Sequence, residues 1–565
     1  MRKILRVNMT DLSIRAEELP QEYLDLGGRG LTSSIINREV PPTCFPLGAH
    51  NKMVIAPGYL SGTGTPCSGR LSIGAKSPLT GGIKESNVGG MASQKLARLG
   101  IAAIVIEGQP KEDGLHVLSI SKDAARLEQA GDLAGKGNYA VCESVRRNHG
   151  EKVASLSIGQ AGEMLLHGSS VASSDMEGMP NRHAGRGGMG AVMGSKGLKA
   201  IVIDDAGTAP VQPKQKAEYN AVTREFTKSM REAKGFLEQL RTCGTPGGIP
   251  NFNAFGTLPT RNFSAGAYEY AEQIQGLAII EIAKSRGAKM HSCSPSCPVR
   301  CSIVYHDQNH QFLVSGLEYE TVALLGSNLL VHDLDAIALM NRLLNDVGLD
   351  TIETGAAIGV AMEAGYLRFG DSESAIELIQ EVAQGTIRGR MIGSGAVVTG
   401  KMLGVKKVPA VKGQAIPAHH PQGNKIAGVT YCTSPMGADH TAGIIYDNTV
   451  HNPEGKVEKS LAVQIQMGFI DTLGMCMFSR ACPNYNDYLV KTLTAFNGAP
   501  FTEENLLDLG RRTLRAEHDF NRRAGFTSSH DRLPEFMTEV RIKPHDLVFD
   551  VPYEEVDTLK GKLLD

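Results

Sequence analysis

The sequence contains no tryptophan, and aromatic residues make up only 5% of its 565 positions. Neither sign of charge is in excess, because 58 Lys and Arg residues are balanced by 60 Asp and Glu residues. This balance excludes a strong field that would attract nucleic acid or an anionic membrane. A run of roughly 18 apolar residues is also missing, as is the apolar segment of a secretory signal behind the N-terminus. We therefore predict a soluble, cytoplasmic protein with no nucleic-acid partner and no membrane span.

Cysteine is scarce as well, with ten residues in the whole chain. The cytosol keeps thiols reduced, so these cysteines are not expected to form a disulfide framework. Glycine, by contrast, occurs 64 times. So much glycine predicts many tight turns and close approaches of the backbone to a bulky group.

Composition divides the chain into three blocks. Residues 1–207 are glycine-rich and contain short β-branched runs such as KMVIAP, AAIVIEG and KAIVIDD, which are typical of strands. Residues 208–412 and 413–565 carry apolar residues at helical spacings, with breaks rich in proline and glycine. We predict an α+β fold, in which a β-rich domain is followed by two mostly helical domains. No internal repeat is visible in the sequence.

Three of the ten cysteines are evenly spaced in the stretch HSCSPSCPVRCS: Cys293, Cys297 and Cys301. Most cytosolic cysteines are small buried hydrophobes, and zinc is a second possibility with His291 as a ligand. Prolines within the stretch favour a loop that aims several thiolates at one point. Four thiolates around a cubane iron–sulfur cluster fit better, with a distant fourth ligand. Cys476 in DTLGMC is the main candidate for it, and Cys482 in RACPN is the rival.

Two glycine-rich stretches, residues 68–90 and 181–203, also carry basic residues: Arg70, Lys76, Lys84, Arg182, Arg186, Lys196 and Lys199. Glycine lets backbone amides approach an anion, and arginine suits phosphate oxygens. We therefore expect a large phosphate-bearing cofactor, against the alternative of ordinary turns with solvated basic residues. GRGGMG matches a dinucleotide fingerprint only loosely, because no strong strand precedes it.

The order of several segments carries more information than any one of them. These segments are LGGRGL, SGRLSIGAKSPLTGG, ESNVGG, AGRGGMGAVMGSKGLKAI, EYET, NDVGLDTI, TSPMGADH and DTLGMC. In this combination the chain resembles the tungsten-containing aldehyde ferredoxin oxidoreductase family. The resemblance implies tungsten, or less often molybdenum, held by two pterins. It also implies a [4Fe-4S] cluster, a magnesium ion that bridges the pterin phosphates, and a first domain that cradles the pterins. An aldehyde would be the substrate, and a ferredoxin or ferredoxin-like subunit the electron acceptor, in a homo- or hetero-oligomer or a single chain.

Carried over by residue, the resemblance implies four cluster ligands: Cys293, Cys297, Cys301 and Cys476. The first gap holds three residues where the family usually has two, so Cys293 is the least conventional ligand. The implied cofactor-binding residues are Arg70, Asn87, Gly89, Arg182, His183, Ala184, Gly185, Asn345, Gly348, Leu349, Asp350, Asp471, Gly474 and Met475. Asn345 stands where the family usually has aspartate, and Met475 where it has leucine. Some family contacts use backbone carbonyls, which explains how His183 is accommodated.

The resemblance also implies an acid–base pair, Glu320 in EYET and His440 in GADH. A glutamate beside the reacting group can take a proton, and histidine titrates near neutrality. Glu318 is the alternative glutamate and is expected to be structural. His419 and His420 in PAHHPQG compete with His440.

We therefore predict an enzyme that oxidises aldehydes to carboxylic acids and passes the electrons through its cluster to ferredoxin. The metal–pterin subunit of a benzoyl-CoA type reductase is the main alternative. A non-catalytic iron–sulfur electron-transfer module would leave the phosphate-type and pterin-type segments without a purpose. The loose dinucleotide fingerprint disfavours a nicotinamide dehydrogenase.

Overall fold

The structure, a computed structural model, describes residues 2–564. Its first 203 residues form twelve strands that make two sheets. The strands are β1 (Lys3–Asn8), β2 (Ser13–Glu18), β3 (Met53–Pro57), β4 (Leu71–Lys76), β5 (Ile83–Val88), β6 (Ile101–Glu107), β7 (His116–Ile120), β8 (Ala125–Gln129), β9 (Ala154–Ser157), β10 (Val171–Ser173), β11 (Arg182–Ala184) and β12 (Leu198–Ile203). The helices among them are α1 (Gly28–Glu39), α2 (Ala92–Arg98), α3 (Asn138–His149), α4 (Gln160–Glu163) and α5 (Met189–Ser195).

The second sheet repeats the first, strand by strand. The orders are β2-β1-β6-β3-β4-β5 and, read from its other edge, β8-β7-β12-β9-β10-β11. In each sheet one pair is parallel, β1 with β6 and β7 with β12, and all other neighbours are antiparallel. A long helix, α1 or α3, follows the second strand of each unit. The expectation of no internal repeat was therefore wrong for the fold: the two units share strand order and pairing, although no repeat is visible in the sequence.

Alternation along the strands buries both faces of the second sheet. In β12, Ile201 and Ile203 enter the core between the two sheets, whereas Ala200 and Val202 enter a smaller cluster that includes residues of α3. Successive side chains of a strand point to opposite faces. The sequence of a strand that is buried on both faces is therefore a continuous apolar run, as in KAIVIDD.

The rest of the chain is mainly helical, which confirms the predicted α+β class. Its helices are α6 (Lys216–Glu232), α7 (Phe236–Cys243), α8 (Ile249–Ala254), α9 (Ala271–Ile274), α10 (Gly276–Ser285), α11 (Tyr319–Leu325), α12 (Leu334–Val347), α13 (Thr351–Glu363), α14 (Ser372–Gln384), α15 (Ile387–Gly393), α16 (Ala396–Leu403), α17 (Lys425–Thr433), α18 (Lys456–Leu473), α19 (Tyr485–Asn497), α20 (Glu503–Arg523), α21 (Phe536–Glu539), α22 (Tyr553–Val556) and α23 (Leu559–Leu564). Short strands are β13 (Met290–His291), β14 (Ser302–His306), β15 (Phe312–Ser315), β16 (Ala410–Val411) and β17 (Gln414–Ala415). Short 3-10 helices cover Gln21–Tyr23, Gly131–Leu133, Arg186–Gly188, Thr245–Gly248, Ser327–Leu329, His440–Ala442, Met477–Ala481 and Ser528–His530.

No single helix within residues 2–564 has the length and apolar composition needed to cross a membrane. The stretches Tyr319–Leu329 and Leu334–Val347 meet that requirement only as a pair, and the pair is bent by 119°. Length and composition are the whole basis of that match.

Two helices, α12 and α18, end against the sheets in the same way. Each is followed by a glycine in the left-handed conformation, Gly348 with φ 81° and Gly474 with φ 76°. Glycine is the residue that most readily adopts this reversal. Each glycine is then bound by the residue just before a strand of one sheet: Ser170 N, before β10, donates to Gly348 O, and Arg70 N, before β4, donates to Gly474 O. The two helix ends therefore face the two sheets.

The end of α18 is also tied to α1 and α20 by buried charges. Arg29 is 1% exposed, and its Nε and Nη2 donate to Glu517 Oε1 and Oε2 at 2.9 and 2.8 Å. Its Nη1 lies 3.3 Å from Asp471 Oδ2. Burial raises the pKa of Asp471 well above its usual value, and the nearby Glu85 adds to the rise. Arg29 is therefore the cation that allows these acids to be buried together.

We expect Arg29→Met to destabilise the protein by about 3–5 kcal/mol, because it leaves buried carboxylates without their cation. Thermal unfolding of the variant measures this as a lower midpoint. Arg522→Met is the matched control, since it breaks only an exposed ion pair with Asp519, worth about 0–1 kcal/mol. Equal midpoints for the two variants would contradict the role given to Arg29.

Candidate active site

A cavity of about 850 Å³ lies where loops of both sheets meet α11, α12 and the segment 419–446. Most residues that the sequence predicts for the site line it: Arg70, Asn87, Gly89, Arg182, His183, Gly185, Cys293, Cys301, Glu320, Asn345, Leu349, Asp350, His440 and Asp471. The alternatives Glu318 and His419 line it as well. Segments more than 400 residues apart in the chain thus form one wall.

The remaining predicted residues lie outside the lining. Ala184, Cys297, Gly348, Gly474 and Cys476 each lie within a few residues of one that lines the cavity. Met475 is fully buried in the apolar cluster that joins the first sheet to α18–α20. Its side chain therefore packs in the core and does not face the cavity.

Several buried donors in the cavity wall have no hydrogen-bond partner among the described residues. They are Asn87 Nδ2, Arg182 Nε and Arg186 Nη1. An unsatisfied buried donor costs about 1–3 kcal/mol. Donors left open in this way, two of them on guanidinium groups, fit an anionic group such as a phosphate.

The seven basic residues expected near phosphates separate into two groups. Arg70, Lys84, Arg182 and Arg186 line the cavity, whereas Lys76, Lys196 and Lys199 do not, so the expectation for these three lysines was wrong. Their ammonium groups bind backbone carbonyls instead: Lys76 that of Pro42, Lys196 that of Gly48 and Lys199 that of Lys136. A lysine stem is long enough to follow an apolar surface and place its charge elsewhere.

Lys84 and Asp439 both line the cavity, and Lys84 Nζ lies 2.5 Å from Asp439 Oδ2. Gly187 (φ 80°) makes this possible, because a Cβ there would collide with the Lys84 side chain. Burial would raise the pKa of Asp439, but the charges of Lys84 and Arg186 outweigh it and lower the pKa. A glycine of GRGGMG thus has a packing role and does not indicate a dinucleotide site.

The residues after α12 and at the end of α18 present polar groups to the cavity. Asp350 caps α13 by accepting from Ile352 N at 3.0 Å through Oδ1, and its Oδ2 lies 3.3 Å from Arg186 Nε. Asn345 stands at the equivalent place to Asp471 and holds α3 through its backbone, since Asn138 Nδ2 donates to Asn345 O at 2.9 Å. The predicted segments therefore supply acceptors on two sides of the cavity.

His183 is held by its neighbours. Its Nδ1 lies 2.8 Å from Ser170 Oγ, and its Nε2 lies 3.1 Å from Pro180 O. Burial lowers the pKa of His183 to about 4. The ring is therefore neutral near pH 7 and satisfied within the protein.

The four predicted cluster cysteines come from two distant segments and converge beside the cavity. Gly90 N donates to Cys293 O at 2.9 Å, and Arg70 Nη2 reaches Cys476 Sγ at 3.4 Å. Burial raises the pKa of Cys301 well above its usual value. The nearest charges add to this rise: Glu318, Cys293, Cys297 and Cys476. Thiol groups whose charges influence one another in this way suit a shared cationic cluster.

The competing ligands have other partners. His291 Nε2 lies 2.6 Å from Ser315 Oγ, and its Nδ1 lies 2.8 Å from Glu177 Oε2. Cys482 donates to Ser229 Oγ at 3.3 Å. Cys476, by contrast, lies close enough to Cys293 and Cys301 for its charge to raise the pKa of both thiols, so Cys476 stays the predicted fourth ligand.

Glu320 lies in the first turn of α11. Its Oε2 accepts from Ala418 N at 2.6 Å, and its Oε1 lies 3.2 Å from His419 Nε2 and 3.7 Å from His440 Nδ1. Burial alone would raise the pKa of Glu320, but His440, His419 and the Ala418 amide outweigh it and lower the pKa to about 2. Glu320 is therefore a carboxylate near pH 7.

Two of the three candidate histidines are fully engaged. His420 lies outside the lining, with its ring nitrogens at 3.2 Å from Phe263 O and 3.4 Å from Gln422 N. His419 binds Glu320 through Nε2, and its Nδ1 lies 2.7 Å from Tyr446 Oη. Burial lowers the pKa of His419. The ring therefore lies between the Glu320 carboxylate and the Tyr446 hydroxyl, with a protein group beside each nitrogen.

His440 differs from both, because its Nδ1 has no hydrogen-bond partner among the described residues. This nitrogen is buried, faces Glu320 and belongs to a residue that lines the cavity. Among the three, His440 therefore has the ring nitrogen that is free for a bound molecule.

Glu318 has a different environment from Glu320. Its Oε1 lies 3.2 Å from Arg182 Nη1, and its Oε2 accepts from Thr245 Oγ1 at 2.8 Å. These contacts fix the Arg182 guanidinium. They support the structural role that the sequence predicts for Glu318.

Sequence reasoning missed three residues of the site: Cys67, Asp439 and Tyr446. Asp439 was visible inside the GADH motif, next to His440. Cys67 and Tyr446 belong to no recognised segment. Their importance comes only from contacts with Cys297 at 3.7 Å and with His419 at 2.7 Å.

Comparison with known proteins gives a consistent picture. The chain matches the model of the aldehyde ferredoxin oxidoreductase N-terminal domain over residues 4–205, and the model of domains 2 and 3 over residues 221–558. The tungsten-containing aldehyde ferredoxin oxidoreductases of Pyrococcus furiosus and Thermococcus kodakarensis are each 32% identical to it, over 94% of this chain and 90% of theirs. The WOR-like subunit of an aliphatic sulfonate oxidoreductase from P. furiosus is 25% identical, over 91% of this chain and 84% of its own.

Among solved structures, the BamBC active-site complex of benzoyl coenzyme A reductase with 1,5-dienoyl-CoA is similar to this chain. The TM-score is 0.82 at 19% identity, over 99% of this chain and 93% of that one. At this identity the likeness shows the fold alone.

We expect Gly474→Ala to lower the iron bound per chain, because a Cβ there would lie 2.5 Å from Gly58 Cα and push Cys476 out of place. Gly455→Ala, at the other end of α18, is the matched control. Gly455 also has a positive φ (66°), but a Cβ there meets nothing within 4 Å. Iron analysis of both purified proteins makes the comparison, and equal iron in the two would contradict this role of Gly474.

Proposed function

This chain belongs to the aldehyde ferredoxin oxidoreductase family of oxidoreductases, and we propose that it oxidises aldehydes to carboxylic acids with a tungsten–pterin cofactor. Molybdenum is the alternative metal. A [4Fe-4S] cluster, a magnesium ion between two pterin phosphates, and ferredoxin as electron acceptor complete the proposal. The proposal is supported mainly by one cavity, which brings together arginine donors without a hydrogen-bond partner in the described residues, the converging thiols and a Glu–His pair.

The residues present fit the two pterins. Arg182, Arg186 and Asn87 would bind phosphate oxygens through the donors that lack a partner in the described part of the chain. Asp350 and Asp471 would accept hydrogen bonds from pterin amino and ring N–H groups, because both line the cavity at helix ends. Asn345 would make the corresponding contact without a charge.

The residues present also fit a cluster. Cys293, Cys297, Cys301 and Cys476 would be its ligands, and Arg70 would donate to the Cys476 sulfur. When bound, the tungsten–pterin group takes up the two electrons of the oxidation and the cluster passes them on singly.

The protein supplies the proton chemistry. Oxidation of an aldehyde with water yields a carboxylic acid, two electrons and two protons. With its pKa at about 2, Glu320 is a poor proton acceptor near neutrality. We assign proton uptake to His440 Nδ1, and assign Glu320 to orienting His440 and stabilising its charged form. His419, held by Tyr446, would keep Glu320 in place.

We expect the purified protein to contain about one tungsten or molybdenum and about four irons per chain. It should reduce a low-potential dye with short-chain or aromatic aldehydes. Elemental analysis and this assay test the proposal together. Iron without tungsten or molybdenum would indicate an electron-transfer module. Metal with activity only toward an aromatic coenzyme A thioester would contradict aldehyde oxidation.

We expect Glu320→Gln to keep its metal content but to lower kcat by about 10²–10⁴-fold, because His440 would lose the carboxylate that stabilises its charged form, and a positioned acid–base group contributes on that scale. Glu377→Gln on α14 is the control, since Glu377 is exposed and lies outside the cavity lining. Metal analysis and steady-state kinetics separate the two effects. Full activity in Glu320→Gln would remove Glu320 from the mechanism.

A further inference from the structure

A fifth cysteine lies beside the four proposed cluster ligands. Cys67, in GTPCSGR, is 2% exposed. Its Sγ lies 3.7 Å from Cys297 Sγ and 3.9 Å from Met230 Sδ. It comes from the loop between β3 and β4 and is separated from Cys297 by 230 positions.

The backbone of Cys67 joins the two segments that carry the other thiols. Its N donates to Ser296 O at 3.2 Å, and its O accepts from Cys476 N at 2.9 Å. Its φ of 62° is in the left-handed region, which is uncommon for a residue other than glycine. Tertiary contacts therefore hold Cys67, and they fix its sulfur relative to both segments.

Cys67 and Cys297 do not both ligate one cubane. Two ligands of a cubane bind different iron atoms, and the width of the cluster keeps their sulfurs apart. A separation of 3.7 Å is a contact distance, so one of the two sulfurs keeps its proton. Cys297 shares its loop with Cys293 and Cys301, whereas Cys67 comes from a separate loop 230 positions earlier. Cys297 is therefore the ligand of this pair.

We infer that Cys67 is a positioning residue that donates an S–H···S hydrogen bond to the ligand Cys297 and thereby raises the reduction potential of the cluster. The inference rests on the [4Fe-4S] site of the proposed function. Hydrogen bonds to ligating sulfurs help to set the potential of such clusters. Reduction adds a negative charge that the sulfurs share, so a donor stabilises the reduced state more than the oxidised one.

The test is a redox titration of the holoenzyme, followed by the electron paramagnetic resonance signal of the reduced cluster. We expect Cys67→Ala to have the same iron content as the unsubstituted protein but a more negative midpoint potential. Cys67→Ser keeps a hydroxyl donor and should recover part of the shift. Cys142→Ala is the matched control for a lost buried thiol, because Cys142 is also 2% exposed but hydrogen-bonds Ser155 in the second sheet unit.

Two results would overturn the inference alone. One is a cluster whose midpoint potential is the same in Cys67→Ala and Cys142→Ala. The other is loss of iron in Cys67→Ala, which would make Cys67 a ligand. An unsubstituted protein without any cluster would instead overturn the proposed cluster site, and the inference with it.

Discussion

Two helices end in the same backbone reversal, and the site depends on where those ends lie. After α12 and α18 the chain turns through Gly348 and Gly474, both in the left-handed conformation. A side chain at Gly474 would overlap Gly58, and one at Gly348 would crowd Gly159. The close approach brings Asp350 and Cys476, two residues beyond each glycine, against the loops of the two sheets.

Because the two sheets share one topology, the ends of α12 and α18 contact them at equivalent positions. The side chains at those positions differ. On one side a buried Arg29 pairs with Asp471. On the other, the neutral Asn138 binds the backbone of Asn345. Cys476 stands where the other half has Asp350. The backbone is therefore similar in the two halves while the side chains differ, and the proposed iron–sulfur cluster lies in only one half.

The charge of a buried glutamate in and around the cavity is set by its neighbours more than by its residue type. Glu320 is ionised because His440, His419 and a backbone amide surround it, whereas burial raises the pKa of Glu353 to about 7. Both are glutamates on adjacent helices of the same region. The difference supports the proposal that Glu320 stabilises a charge on His440 and that the histidine takes up the proton.

The sequence by itself determined the α+β order, the three-cysteine loop and the segments that end in Asp350 and Cys476. The alternation of residues in strands, the spacing of apolar residues in helices and the placement of glycines at turns are local patterns. A short motif can therefore be recognised without knowing how the rest of the chain folds. Only the tertiary structure decided that the sheets are duplicated, that Lys76, Lys196 and Lys199 turn away, and that Cys67 joins the other thiols. Each of these depends on contacts between distant segments. Such contacts follow from how the whole chain packs, and they leave no trace in the residues next to them in sequence.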